Sequence, residues 1–527
     1  MNQGRGDRVP LPETNIVFPP KALIPGYQAM REHAAWWSGD VDELQAIYGG
    51  VGTPTHMHQG RPMRGGVAGF FSRMWWGRRL ASGEERTALH IPVAANLATL
   101  SSDLLNAEPA VFGVAGDRDK ATRDATEQRL DLMWNSSRAH VTQNEAGELT
   151  AALGGTYWVA DWNTNGPLDY VFARSVDADA AVPTFRGGDL IEVTFWTRID
   201  DGRKTYRHLE HHEPGTIIHA LYLSDDPNRI GYRVPLESRP ETAHLASIPG
   251  AVHLPDMTVI PTHIDRLTAV YEPNIRRSRK LRKAGPLADW GRSDFEGNEG
   301  ILNAFDETWS SWMRDLKVGR ARLLVPEAYL QTTGPGSGAS FDAEREVYAA
   351  LNMLPNKDGK QIEAHQFEIR VEQHERTAFN LKKELLQATG YSLSSYGEHV
   401  EGEAITATEV NDRKSATERT RDKKIRYATE ARTKIASVQL ELDGLIFRGR
   451  GGRPGVEVVA EFPAESQLDP EKEMRIIALL DAASAITTET KVRRANPEWD
   501  DERVGREVRG IQAERGIPAG DPAEITV

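Results

Sequence analysis

The sequence predicts a mixed α+β protein built from several domains, and three observations carry that expectation. From about Glu403 to Phe447 there is no proline, and from Ile425 the residues Ala428, Ala431, Ile435, Val438, Leu442 and Leu445 recur at the three-and-four spacing of one helix face. Between Thr156 and about Val234 the period shortens to two, in YVFARSV, DLIEVTFWTRI, KTYRHLEHHE and TIIHALYL. Turn signals NG, RGG, DDG and EPG separate these runs, which therefore read as an antiparallel meander. The 527 residues also exceed what one ordinary core organises, so roughly two to four domains are expected.

Composition removes several function classes. Net charge is −13, from 64 Lys and Arg against 77 Asp and Glu, which argues against a surface that grips nucleic acid everywhere while leaving room for local basic patches. With no cysteine, disulfides, thiolate zinc sites, iron–sulfur clusters and cysteine nucleophiles are excluded. No apolar run approaches the roughly 18 residues of a membrane helix, and MNQGRGDRVPLPETN has no apolar signal core, so a soluble, non-secreted protein is expected. There is no GxSxG or HExxH, and the glycine-bearing TTGPGSGAS lacks the GK[ST] of a phosphate loop. The expectation is a protein that is not an enzyme and needs no cofactor.

Residues 1–90 are punctuated by proline and glycine and read as an arm or a loosely packed edge. There Phe70, Phe71, Arg73, Trp75, Trp76, Arg78 and Arg79 interleave aromatics with cations, a pattern that can stack bases but more often anchors an arm. His56 and His58 would need further partners to hold a metal. Helices are expected over LHIPVAANLATLSSDLLNAEP, from about Lys120 to Ser137, and on to Leu153, where Gly154 and Gly155 end the helical run. In the meander, His208, His211, His212 and His219 are the best metal candidate. On a strand, however, His208 and His212 share a face that His211 does not, so solvated or cross-strand histidines are the plainer reading.

NIRRSRKLRK, Asn274 to Lys283, reads as a solvated charged linker. An amphipathic helix follows, with the stripe Ile301, Phe305, Thr308, Trp309, Trp312, Met313 and Leu316. The strand ARLLV, the TTGPGSGAS loop, a short helix from Ala343 to Leu354, an NKDG turn and the strand HQFEIRV make a compact α+β insertion. A helix from Arg376 to Thr389 and a loop from Tyr391 to Glu401 then deliver the chain into the long helix. That helix is about 60 Å long at about 1.5 Å per residue. Its first half mixes Arg413, Lys414, Arg419, Arg421, Lys423 and Lys424 with Glu409, Asp412, Glu418 and Asp422. Beyond it, VEVVAEF reads as a strand, DPEKEMRIIALLDAAS and DDERVGREVRGIQAE as helices, and the last ten residues as disordered.

Over roughly residues 88–515 the order and spacing of IPVAANLATLSSDLLNAEP, ALGGTYWVADW, GRSDFEG, LLVPEAYL, GEAITATEV and LLDAASAITTETKVRRANPEWDDERVGREVRGIQAE resembles the phage portal proteins of the SPP1 type. These form the ring at the vertex of a tailed-phage capsid through which DNA is packaged and ejected. The resemblance implies an N-terminal arm at 1–87 and a wing at 88–275 completed by 447–467. It implies a linker and first stem helix at 276–319, a clip at 320–371, a second stem helix at 372–390 and a tunnel loop at 391–403. The long tunnel-to-wing helix would be 404–446, the crown 468–515 and a disordered tail 516–527.

The resemblance further implies a homo-oligomeric, dodecameric ring that passes double-stranded DNA. Expected partners are the large terminase subunit, a head-completion or adaptor protein, and major capsid and scaffolding proteins, with no membrane. The expected location is the virion, at the capsid vertex, with assembly in the host cytoplasm. Ser392, Ser394, Ser395, Gly397, Glu398, Glu401, Gly402 and Glu403 would form the tunnel loop, its glycines making it mobile. Arg376, Lys382, Lys383, Arg413, Lys414, Arg419 and Arg421 would face the DNA. Arg322, Glu327, Tyr329, Asp342, Glu344, Lys357, Asp358 and Lys360 would be the docking residues of the clip, and Phe305, Trp309, Trp312 and Leu316 would pack the stem.

Elementary electrostatics agrees with a conduit. Each neutralised phosphate releases counterion and adds affinity, so a channel through which DNA slides cannot carry many unscreened cations, and mixed-sign charge suits it. Two rivals remain at this stage. One is a metal-dependent hydrolase built on His208, His212 and Asp200; the other is a different assembly protein, such as a scaffold or a fused portal–protease.

Overall fold

The computed structural model describes residues 11–48, 89–116, 120–318 apart from Asn165 and Arg203, 322–324, 331–332, 339–340, 363–365, 370–397, 407–463, 477–478, 486–496, 499 and 501–514. These fall into two compact units, divided between Phe462 and Pro463. The chain is α+β, with antiparallel sheets. Among the described residues no helix is long and apolar enough to cross a membrane.

The expected arm opens instead with two packed helices, α1 (Ile24–Ser38) and α2 (Val41–Tyr48). Pro25 occupies the first turn of α1, where its missing N–H has no partner to lose, and Gly39 ends the helix at φ 69°. Leu23, Met30, Ala35, Trp36, Leu44 and Ile47 are buried, so the proline and glycine of this stretch cap helices rather than loosen the chain. The aromatic–cation run at 70–79 and both histidines at 56 and 58 lie outside the described residues.

α3 (Val93–Asn106) follows, then a short strand not foreseen from the pattern, β1 (Val111–Val114). The expected helix to Ser137 is shorter: α4 is Lys120–Leu130, and Asp131–Asn135 forms one π-helical turn that inserts Met133 and Trp134 into the core. α5 (Ser137–Leu153) starts at Ser136, whose hydroxyl accepts from the Ala139 N–H. It stops at Gly154, φ 92°, where a Cβ would lie 2.9 Å from backbone atoms of Arg292 and Ser293.

The meander residues divide between two sheets. β2 (Gly155–Asp161) and β3 (Phe172–Asp177) join the later β11 (Ala269–Pro273) in a three-stranded sheet, order β11-β2-β3. β4 (Ala181–Arg186), β5 (Asp189–Asp201), β6 (Lys204–Glu213), β7 (Thr216–Ser224), β8 (Tyr232–Val234), β9 (Val252–Leu254) and β10 (Met257–Pro261) make a seven-stranded one. Its order is β4-β5-β6-β7-β10-β9, with β8 also on β7.

The cationic run after β11 is not a solvated linker. Asn274, Ile275 and Ser278 are buried, Asn274 N–H donates to Gly154 O, and Arg292 N–H donates to Ile275 O. Leu287, Trp290 and Phe295 fill the core beside it. Only part of the run faces water, because its backbone closes the corner between α5 and β2.

α6 (Glu299–Val318) leads into the insertion, of which the described parts are two strand pairs. β12 (Arg322–Leu324) pairs with β15 (Glu363–His365), and β13 (Gln331–Thr332) pairs with β14 (Ala339–Ser340). The chain returns as α7 (Val371–Thr389), which packs against α6. α8 (Ala407–Ile446) is a single helix of 40 residues, about 60 Å long. Its C-terminal half lies on β11 and β2 and against β16 (Val458–Glu461), which pairs with β1. In the second unit, α9 (Thr488–Ala495) is capped by the Thr487 hydroxyl, and in α10 (Asp501–Glu514) Val504 is buried.

Candidate functional site

The site is built from α6, α7, residues 391–397 and the first half of α8. α6 and α7 are held together by an aromatic stack: Trp309 and Trp312 rings lie 5.1 Å apart, and Trp312 stacks at 7° on His374, 6.1 Å away. Asp315 accepts from His374 at 2.9 Å and from Arg370 at 3.2 Å. The chain therefore leaves α6 and re-enters α7 at the same end of the pair. Of the stem residues, Phe305 is buried, Trp309 packs partly against the same cluster, Trp312 joins the stack, and Leu316 is exposed.

The described part of the expected tunnel loop, residues 391–397, is hydrogen-bonded to α8. Gly390, φ 89°, ends α7 so close to α8 that a Cβ there would meet Thr420 Oγ1 at 2.4 Å. Ser392 N–H donates to Thr417 Oγ1 at 3.0 Å, Ser395 Oγ donates to the same oxygen at 3.0 Å, and Ser392 Oγ lies 3.0 Å from Ser394 Oγ. These serines form a local turn on α8, as short hydroxyl side chains do where backbone donors need partners. Gly397, φ 83°, adopts the left-handed backbone that favours glycine. Glu398, Glu401, Gly402 and Glu403 lie outside the described residues.

The cations divide. Arg376 and Lys383 on α7 and Arg419 on α8 are exposed, while Lys382 is half-buried with its ammonium 6.0 Å from the Tyr396 ring centre. Arg421, expected to face DNA, is turned inward. It is 7% exposed and donates from Nε to Leu104 O at 2.6 Å, because its position on α8 faces α3. The side chains of Arg413 and Lys414, and of Arg322 in β12, lie outside the described residues, as do Glu327, Tyr329, Asp342, Glu344, Lys357, Asp358 and Lys360.

What positions α8 is a column of buried polar side chains that the apolar periodicity did not reveal. Lys424 uses three donors: to Ser101 Oγ at 2.6 Å, Asp294 Oδ2 at 2.6 Å and Tyr391 OH at 2.9 Å. Burial lowers its pKa against the opposing pull of Asp294, and burial raises that of Tyr391. Arg432, fully buried, forks onto Glu272 at 3.0 and 3.2 Å and donates to Asn106 at 2.9 Å, over the Trp158 ring. Gln439 accepts from Trp134 Nε1 at 2.7 Å, and Asp443 accepts two bonds from Arg129 at 2.6 and 2.9 Å. Three of them, Arg432, Gln439 and Asp443, each lie one residue after a member of the apolar stripe. That offset is the signal that could have shown the buried face to be wider than the stripe.

The histidines occupy the seven-stranded sheet. His208 Nε2 and His219 Nδ1 are 3.1 Å apart with rings stacked at 8°. His212 bridges Glu210 at 2.8 Å and Thr268 at 2.6 Å, and His211 bonds Thr194 on the opposite face. Asp200 is exposed and accepts from Arg198 and Thr205, so the trio of His208, His212 and Asp200 is not assembled. Among the described residues no group of three or more His, Cys, Asp or Glu is placed to hold a metal.

Burial pushes the His219 imidazole down to about 3 and that of His211 down to about 4, and also lowers His208. For a depressed histidine the unfolded chain binds the proton first, so its contribution is present above about pH 6.5 and is lost as pH falls towards about 3. Each unit is worth about 1.4 kcal/mol. The stability of His219→Leu relative to wild type is therefore expected to improve steadily as pH is lowered from about 6.5 to 4, measured by urea unfolding. A pH-independent difference would contradict this.

No family model matches the chain, and no curated protein matches it. It is similar at a TM-score of 0.34 and 11% identity to a solved chain from the "Virion of native gene transfer agent (GTA) particle", over 78% of this chain and 91% of that one.

Proposed function

We propose that this chain is the portal subunit of a tailed double-stranded DNA phage. A ring of such subunits at the capsid vertex would conduct DNA during packaging and ejection, and would dock the large terminase subunit and later the head-completion protein. Capsid and scaffolding proteins would surround it. The observation that supports this reading is the order helix, insertion, helix, turn, long helix. α6 and α7 are stacked side by side with the insertion at one end, and the turn at 391–397 is pinned to α8 at the other. That is the order of stem, clip, stem, tunnel loop and long helix.

Charge is consistent with it. The exposed cations Arg376, Lys383 and Arg419 stand among the exposed acids Glu375, Glu384 and Glu418, which would keep phosphate contacts weak and reversible. The pinned half of the loop would set its height, and Glu398, Glu401 and Glu403 would repel the backbone of passing DNA.

In a packaging assay, rings carrying Glu398→Gln, Glu401→Gln and Glu403→Gln are expected to assemble normally and to package or retain DNA differently from wild type. Failure to assemble would sink the loop's role. Wild-type rings that support neither packaging nor terminase docking would sink the reading itself.

A further inference from the structure

The cationic run from Asn274 to Lys283 has no part in the stem, the turn or the long helix. From Arg276 it places six cations and no carboxylate in eight residues, in a chain whose net charge is −13. Its backbone is fixed. Ser278 is buried, its N–H donates to Trp290 O at 3.2 Å, and its Oγ accepts from the Leu281 N–H at 3.0 Å. Ala284 N–H donates to Leu281 O at 2.8 Å, and Glu296 accepts the N–H groups of Arg279 and Lys280 at 2.6 and 3.3 Å.

Held this way, the loop turns Arg277, Arg279, Lys280, Arg282 and Lys283 to the solvent. Arg277 lies 3.6 Å from Asp289, and Lys280 pairs with Glu299. Among the described residues no carboxylate is within ion-pair distance of Arg279, Arg282 or Lys283. Even with Asp289, Glu296 and Glu299 set against it, the loop keeps a local excess of positive charge.

Like charges on a fixed backbone repel one another, and a polyanion relieves that repulsion. Two observations favour a phosphate backbone over a protein partner. The large apolar side chains beside the loop, Leu287 and Trp290, are buried, and among the described residues no exposed one falls between Leu254 and Met313. The patch therefore lacks the aromatic or aliphatic anchors on which protein interfaces centre. Two of the three unpaired cations are arginines, whose planar fork fits a phosphate. With no exposed ring to stack a base, contact is to the backbone and carries no sequence preference.

We propose that the loop at 277–283 is a docking surface for the phosphate backbone of double-stranded DNA. It is complete within one chain, so it stands or falls separately from the portal reading. Fluorescence anisotropy of a labelled short duplex, titrated with the full-length protein between about 50 and 200 mM salt, tests it. Three phosphate contacts contribute about 2.7 to the slope of log K against log salt, and Arg279→Gln, Arg282→Gln and Lys283→Gln together are expected to remove that share. Arg282→Gln alone is expected to lower the slope by about 1 and serves if the triple variant does not fold. Two duplexes of unrelated sequence are expected to bind alike. No binding at about 50 mM salt, or a slope unchanged in both variants, would overturn the proposal. Displacement of the duplex by polyglutamate at equal charge would overturn it too, giving the patch to an acidic protein segment.

Discussion

Arg432→Met is expected to destabilise the first unit by about 3–5 kcal/mol, because it leaves the Glu272 carboxylate buried without its cation. Glu272 is 2% exposed and would keep the Trp158 Nε1 donor at 2.5 Å, while Asn106 Oδ1 and Gln143 Oε1 would lose the Nη1 donor they share. The desolvation penalty of an unpaired carboxylate far exceeds what one neutral donor returns. The double variant Arg432→Met with Glu272→Gln removes both charges at similar volume and is expected to recover much of the loss. Urea unfolding of the two variants checks this. A single variant within about 1 kcal/mol of wild type would mean the pair is solvated.

Lys424→Met is expected to have an effect of similar size with a different reach. Asp294 would keep Asn274 Nδ2 at 2.8 Å and Tyr391 OH at 3.1 Å but lose its cation. The carboxylate is then buried without its cation, and urea unfolding of the variant reads the loss. Tyr391 begins the turn pinned on α8, so hydrogen exchange at 391–397 should accelerate in Lys424→Met more than in Arg432→Met. Equal exchange in both would separate the turn from the ion pair.

Much of the fold was legible where a single periodicity governed a stretch. Ala431, Ile435, Val438 and Leu442 announced the face of α8, and alternating runs announced β3 and β5 to β7. What was not legible depended on partners far away in sequence. Nothing near Thr156 says that β2 and β3 leave the meander and that β2 pairs with Ala269–Pro273. The mixed charge of the first half of α8 did not show that Lys424 is buried, whereas Asp294, 130 residues away, pulls it into the core, as Glu272, 160 residues away, does Arg432.

At the site the same limit applied. The loop's position was readable from its serines and glycines, and the pinning of Ser392 to Thr417 was not. Arg421 went astray for a rotational reason, since a helix of mixed charge does not show from its sequence which side meets α3. Prolines and glycines before Gly39 were read as loosening signals although Pro25 and Gly39 stand where helices begin and end.

The central claim is one of shape, and negative-stain electron microscopy of the purified full-length chain, with light scattering on the same sample, tests it most directly. The portal reading predicts rings with a central hole and a mass of about a dozen subunits. A uniform monomer or dimer across the accessible concentration range would contradict it.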